Sequence, residues 1–114
     1  MKVLVFEDNL MWSSRLSRTL KAYQHEPILR TQLPEESEGA EVAIINLGSS
    51  SPDPRTLVDA LHGLGIPVIA HAGHKELELM DLGREAGADI LATNRELTFK
   101  LPELVNRAAL GPKS

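Results

Sequence analysis

Glu7 and Asp8 stand side by side directly after the apolar run Val3-Leu4-Val5-Phe6. Adjacent carboxylates at the end of a rigid strand offer hard oxygen ligands to a divalent cation. Asn46 ends a second apolar run, Val42 to Leu47, and would add an amide oxygen beside a backbone carbonyl. A set with so few charges holds Mg²⁺ weakly at best, and the plainer arrangement leaves both acids solvated or bonded to backbone N–H groups. His71 and His74 lie at the end of a third run. With Asp8 they could form a transition-metal site. Their spacing is not the i, i+4 pair that a helix would orient, so the plainer reading keeps them as ordinary loop and strand-end side chains. Ser49, Ser50 and Ser51 follow Gly48, but the second glycine of a nucleophile elbow is missing. No glycine-rich phosphate loop is present, and the charge of Glu7-Asp8-Asn9 would repel a flavin phosphate. His25 and His62 fall at helix ends or connections and carry no signal.

Composition narrows the chemistry further. The 114 residues suit one domain, and 42% of them are hydrophobic, enough for a real core. Twelve basic and sixteen acidic residues give a net charge of −4, which argues against general binding to nucleic acid or anionic membranes. The absence of cysteine removes disulfides, thiolate metal sites and thiol catalysis. Apolar runs are strand-sized, well short of the ~20 residues of a membrane span. No signal peptide is read at the N-terminus, so a cytoplasmic location is expected.

The elements that must position these residues alternate along the chain. Strands are predicted at Val3–Phe6, Pro27–Thr31, Val42–Leu47, Ile66–Ala72 and Asp89–Thr93. Asn9 is placed to cap a helix whose stripe is Trp12, Leu16, Leu20 and Tyr23, and Arg15, Arg18 and Lys21 share another, solvated face. Gln32 to Glu41 is too short for a helix with both connections, so the second helix is shortened or lost. Further helices are predicted with Leu57, Val58 and Leu61 inward, over 75–86 with Leu77, Leu79 and Met80 inward, and over Leu101–Leu110, stopped by Gly111-Pro112. This alternation implies an α/β, doubly wound parallel sheet, whose ligands bind outside the carboxyl ends of the strands. Glu7-Asp8, Asn46–Gly48, Ala72–His74 and Asn94 all fall there.

The acid pair, the apolar strand ending at residue 46, the stretch Ile66-Pro67-Val68-Ile69-Ala70 and the turn Glu85-Ala86-Gly87-Ala88-Asp89 occur in an order that resembles the receiver domain of bacterial response regulators. The resemblance covers nearly the whole chain, 1–114. It implies a flavodoxin-like (CheY-like) five-stranded sheet in the order 2-1-3-4-5. It also implies an aspartate after the third strand that accepts a phosphoryl group, Mg²⁺ held with two acids, a hydroxyl after the fourth strand, a lysine after the fifth and a responsive aromatic on the fifth.

Only the acids, Glu7 and Asp8, match. The acceptor position holds Asn46, an amide that forms no acyl phosphate. The hydroxyl position, five after Pro67, holds Ala72, and the lysine position, seven after Gly87, holds Asn94. The aromatic position holds Leu91, and Arg95 replaces the usual proline. The sequence therefore reads as a pseudo-receiver with a dismantled phosphotransfer site. Replacing one of three carboxylates by an amide relieves their repulsion. Asn46 is expected to donate to Asp8, a bond of ~1.5–3 kcal/mol to a charged acceptor.

The function expected is a non-enzymatic, phosphorylation-independent protein–protein interaction module in signalling, with a protein partner or a second copy. By the family's habit the contact face is its fourth helix, fifth strand and fifth helix: Glu78, Leu82, Arg84 and Glu85, then Ile90 and Ala92, then Thr98, Glu103 and Arg107. No effector domain follows within the chain, which either stands alone as an adaptor or is a piece of a longer protein. Two other readings stay open: a residual phosphorelay receiver, and a metal- or small-ligand-binding flavodoxin-like protein using Glu7, Asp8, His71 and His74.

Overall fold

The structure is a computed structural model that describes residues 1–49 and 51–111. Five strands, β1 (Lys2–Phe6), β2 (Glu26–Leu29), β3 (Ala40–Asn46), β4 (Val68–Ala72) and β5 (Ile90–Thr93), form one sheet in the order β2-β1-β3-β4-β5. Every neighbouring pair is parallel. Among the described residues three helices connect the strands, α1 (Leu10–Ala22), α2 (Pro54–Gly63) and α3 (Leu77–Ala86), and a fourth, α4 (Asn94–Leu110), follows β5. Residues 30–39 between β2 and β3 carry only bends and turns, so the helix that this connection might have held is absent.

Strand alternation divides the core. Val3, Val5, Val42, Ile44, Ile69, Ile90 and Ala92 point to one face, under Leu16 and Leu20 of α1 and Leu97, Leu101, Leu104, Val105 and Ala108 of α4. Leu4, Phe6, Ala43, Ile45, Val68, Ala70 and Ala72 point to the other, under Leu57, Val58 and Leu61 of α2 and, half-buried, Leu79 and Met80 of α3. β1, β3 and β4 read as continuous apolar runs because both of their faces are covered. α3 lies closest to the sheet at Gly83, where a Cβ would fall 2.6 Å from Leu91 and 2.8 Å from Leu47.

Three helix starts have identifiable caps. Asn9 Oδ1 accepts from the N–H groups of Met11 and Trp12, Asp53 caps α2 ahead of Pro54, and Thr93 forms a reciprocal capping box with Glu96. α4 is two helical segments joined across a non-helical Lys100 (φ −123°, ψ 18°). The second is the expected helix Leu101–Leu110 with Pro102 in its first turn, where a missing N–H is tolerated. The first, which starts at Asn94, was not expected from the sequence. The second strand is one residue earlier and shorter than expected, and α3 starts at Leu77, whose side chain is exposed. Tyr23 is exposed as well, since α1 ends at Ala22 and the chain turns away. The expected stop residue Pro112 lies outside the described residues.

Candidate functional site

The order β2-β1-β3 makes the carboxyl ends of β1 and β3 the switch point of the sheet. Phe6 pairs with Ile45, and Asn46 pairs with His71. Val3 and Val5 of β1, Val42 and Ile44 of β3, and Ile69 of β4 lie on the face under α1 and α4, and period-two alternation sends Glu7, just past β1, Asn46 and His71 to the same side. Glu7, Asn46 and His71 are therefore brought together, while Asp8 takes the opposite parity and stays exposed.

Glu7 is only 8% exposed and His71 is fully buried. Asn46 Nδ2 donates to both Glu7 oxygens, at 3.0 and 2.8 Å, and the backbone N–H of Asn9 donates to Glu7 Oε2 at 3.2 Å. His71 Nε2 stands 3.4 Å from Glu7 Oε1, an ion-pair distance without a formed hydrogen bond. On the other side of the ring, His71 Nδ1 is 2.7 Å from Asn94 Oδ1. The Trp12 ring covers His71 at 6.1 Å between centroids. Burial pushes the Glu7 carboxyl up, but His71, the Asn46 amide and the Asn9 N–H stabilise the anion, and the net result holds it below its ordinary value. A chain of polar groups, Asn46–Glu7–His71–Asn94, thus crosses the end of the sheet beneath α1.

The expected bond from Asn46 to Asp8 is not formed. The amide turns instead to Glu7, because residues 7 and 46 share a face and residue 8 does not. Asp8 accepts from Ser49 Oγ at 3.2 Å. Asn46 Oδ1 accepts from the Gly48 N–H at 2.8 Å, so both ends of the amide are engaged.

The donor set for a cation does not assemble. Both Glu7 oxygens face protein donors, and Asn46 Oδ1 is taken. Among the described residues no three His, Asp or Glu side chains come together to hold a metal ion. His74 is exposed in the loop after β4 and does not join His71 and Asp8. Beside the acids lies a recess of about 30 Å³, lined in part by Glu7, Asp8, Asn46, Ser49 and Pro52. That volume accommodates about one or two waters, not an organic substrate. Of the three serines, Ser49 faces a carboxylate and no base, Ser51 is exposed, and Ser50 lies outside the described residues.

The remaining site residues scatter. Ala72 pairs with Thr93 and is buried under α2 and α3. Leu91 is half-buried against the same layer. Asn94 opens α4 and faces His71. Of the expected contact face, Glu78, Arg84, Glu103 and Arg107 are exposed and Leu82 and Thr98 half-exposed. Ile90 and Ala92 are core residues instead, because alternation turns them inward under α4. Glu85 pairs with Arg55 at 2.6 Å, which turns it toward α2 and away from α4. Two contacts gave no signal in the sequence: His62 meets Asp89 at 2.7 Å, and His25 meets the N-terminus at 3.1 Å. The burial of His71 was also missed, although a signal was there: a polar residue inside an apolar strand is buried and must find partners.

No family model matches the chain, and no curated protein matches it in sequence. Solved structures match it in fold. The receiver domain of NtrX from Brucella abortus is 16% identical with a TM-score of 0.76, over 95% of this chain and 98% of that one. ChrA, a response regulator of a heme-sensing two-component system, is 18% identical with a TM-score of 0.82, over 96% of this chain and 57% of that one. The beryllofluoride-activated NtrC4 receiver domain, a dimer in solution, is 18% identical with a TM-score of 0.77, over 96% of both. Against a longer NtrX chain, the match spans 26% of that protein's length. The fold is that of response regulator receiver domains.

Proposed function

We propose that this chain is a signalling module of the receiver type that works through protein–protein contact without being phosphorylated. The observation that carries the reading is the position of Asn46. It occupies the end of β3 beside Glu7, the place where the receiver fold presents its acceptor carboxylate, and its amide is fully engaged. An amide nitrogen delocalised into its carbonyl is a poor nucleophile and yields no acyl phosphate. Around it, Ala72 offers no hydroxyl, Asn94 no cation and Leu91 no aromatic ring. The switch between two charge states on which phosphorylated modules depend has no residue here to carry it.

What remains is a rigid scaffold with exposed helix faces. The contact face extends over Glu78, Leu82 and Arg84 of α3 and Thr98, Glu103 and Arg107 of α4, and a second copy of the chain is one partner it suits. Mg²⁺ binds weakly at best, through Asp8. The position in the cell is cytoplasmic, and the module is not an enzyme.

Intact-mass measurement after incubation with acetyl phosphate and Mg²⁺ tests the central point. The unmodified chain is expected to gain nothing. A stable gain of one phosphoryl group, on Asp8 or elsewhere, would restore the residual-receiver reading and remove this one.

A further inference from the structure

An open groove of about 430 Å³ lies between α1, the loop after β4 and the start of α4. Trp12, Arg15, His74, Arg95 and Phe99 give it its chemistry. The Arg15 guanidinium sits over the Trp12 ring at 5.2 Å, and the Arg95 guanidinium over the Phe99 ring at 5.9 Å. Neither arginine has a carboxylate partner among the described residues, whereas Arg30, Arg55 and Arg84 each meet one. No residue lining the groove is acidic, although the chain as a whole carries −4. Glu96, one residue from Arg95, is held in the capping box of α4 and faces Thr93. Phe99 is 74% exposed, a large apolar surface left in water.

We infer that this groove binds an acidic, extended segment of a partner protein, with carboxylates on Arg15 and Arg95 and an apolar side chain against Phe99. Stacking on an aromatic ring holds each guanidinium in place and leaves its N–H edge free to meet a carboxylate, so little side-chain freedom is lost on binding. Trp and Arg are the residues that most often anchor interfaces. The groove is open to solvent along its length, which suits a chain segment better than a small molecule that needs enclosure. The surface is separate from the α3–α4 contact face except at Thr98, and its binding does not depend on the chemistry of residue 46.

Trp12 is the only tryptophan in the chain, so its fluorescence reports occupancy directly. The full chain is titrated with a short peptide of alternating Asp, Glu and Phe, with a Lys and Phe peptide of the same length, and with ATP, each followed by fluorescence and calorimetry. The acidic peptide is expected to bind, more weakly as salt rises, and the basic peptide not to bind. Arg15→Gln and Arg95→Gln are each expected to weaken binding about tenfold. Both side chains are exposed, so the variants should keep the fold, which circular dichroism checks. Phe99→Ala gives a third, uncharged test and should weaken binding too. Absence of heat and of a fluorescence change with the acidic peptide overturns the proposal. So does undiminished binding by the Arg15→Gln/Arg95→Gln double variant, equal binding of the basic peptide, or binding of ATP alone. Because phosphoryl uptake is read separately by mass, failure here leaves the reading of Asn46 standing, and the reverse holds as well.

Discussion

Asn46 and Glu7 form the contact on which the carboxyl end of the sheet is built. An amide can donate to a buried carboxylate, and a second carboxylate cannot. Asn46→Asp would remove both N–H contacts and place like charges about 3 Å apart. In metal-free buffer at neutral pH this is expected to lower stability by about 2 kcal/mol, read from urea unfolding followed by Trp12 fluorescence. A rise in stability would contradict the account. Glu7 adds a pH dependence. Its folded value lies below the ordinary 4.5, so its contribution is complete above that value and fades as pH falls through the folded value. Wild type should therefore lose stability below about pH 4.5 more steeply than Glu7→Gln, and the two unfolding curves should converge in acid. Parallel slopes would show that the Glu7 carboxylate is not held by its neighbours.

At the scale of the elements, α4 is the unusual member. Its two helical segments, from Asn94 and from Leu101, meet at a break at Lys100, because Pro102 offers no N–H to the preceding turn and its ring crowds that turn's path. The turn ahead of the break carries Asn94, Arg95, Thr98 and Phe99. It is anchored by the Thr93–Glu96 box and by Leu97 in the core. Thr93→Ala removes the hydroxyl that accepts from the Glu96 N–H. It is expected to cost about 1 kcal/mol and to raise hydrogen exchange in the first turn of α4 more than in its second half. Uniform exchange along the helix would mean that packing alone holds that turn. The sequence carries Thr93-x-x-Glu96, the signature of a helix start, but the sequence reading did not use it. Pro102, which that reading did use, occupies the first turn after the break at Lys100.

At the scale of the whole molecule, one sheet is shared by two apolar layers, and its central strands are buried on both faces. Neither layer can open without exposing strands that the other needs. The radius of gyration of 12.4 Å is that of one tightly packed unit of this length. Unfolding is expected to be a single transition, with Trp12 fluorescence and far-UV circular dichroism giving the same midpoint in urea. Separate midpoints would indicate that the α1–α4 layer and the α2–α3 layer melt independently.

The doubly wound sheet and the loss of the helix between β2 and β3 were legible from apolar runs, their spacing and a connection too short for a helix, and the strand order followed from the resemblance to receiver domains. So was the arrival of Glu7, Asp8, Asn46, His71 and Asn94 at one end of the sheet, since parallel strands deliver their carboxyl ends together. Which of these side chains meet is a matter of pleat parity and register. Those depend on where each strand pairs with its neighbour, and they are set only when the whole sheet closes. Register turned Asn46 to Glu7 and away from Asp8, buried His71 between Glu7 and Asn94, and put Ile90 and Ala92 in the core. The pairing of α1 with α4 likewise brought Arg15 and Arg95 to the two sides of one groove, 80 residues apart in a chain whose linear pattern relates neither to the other.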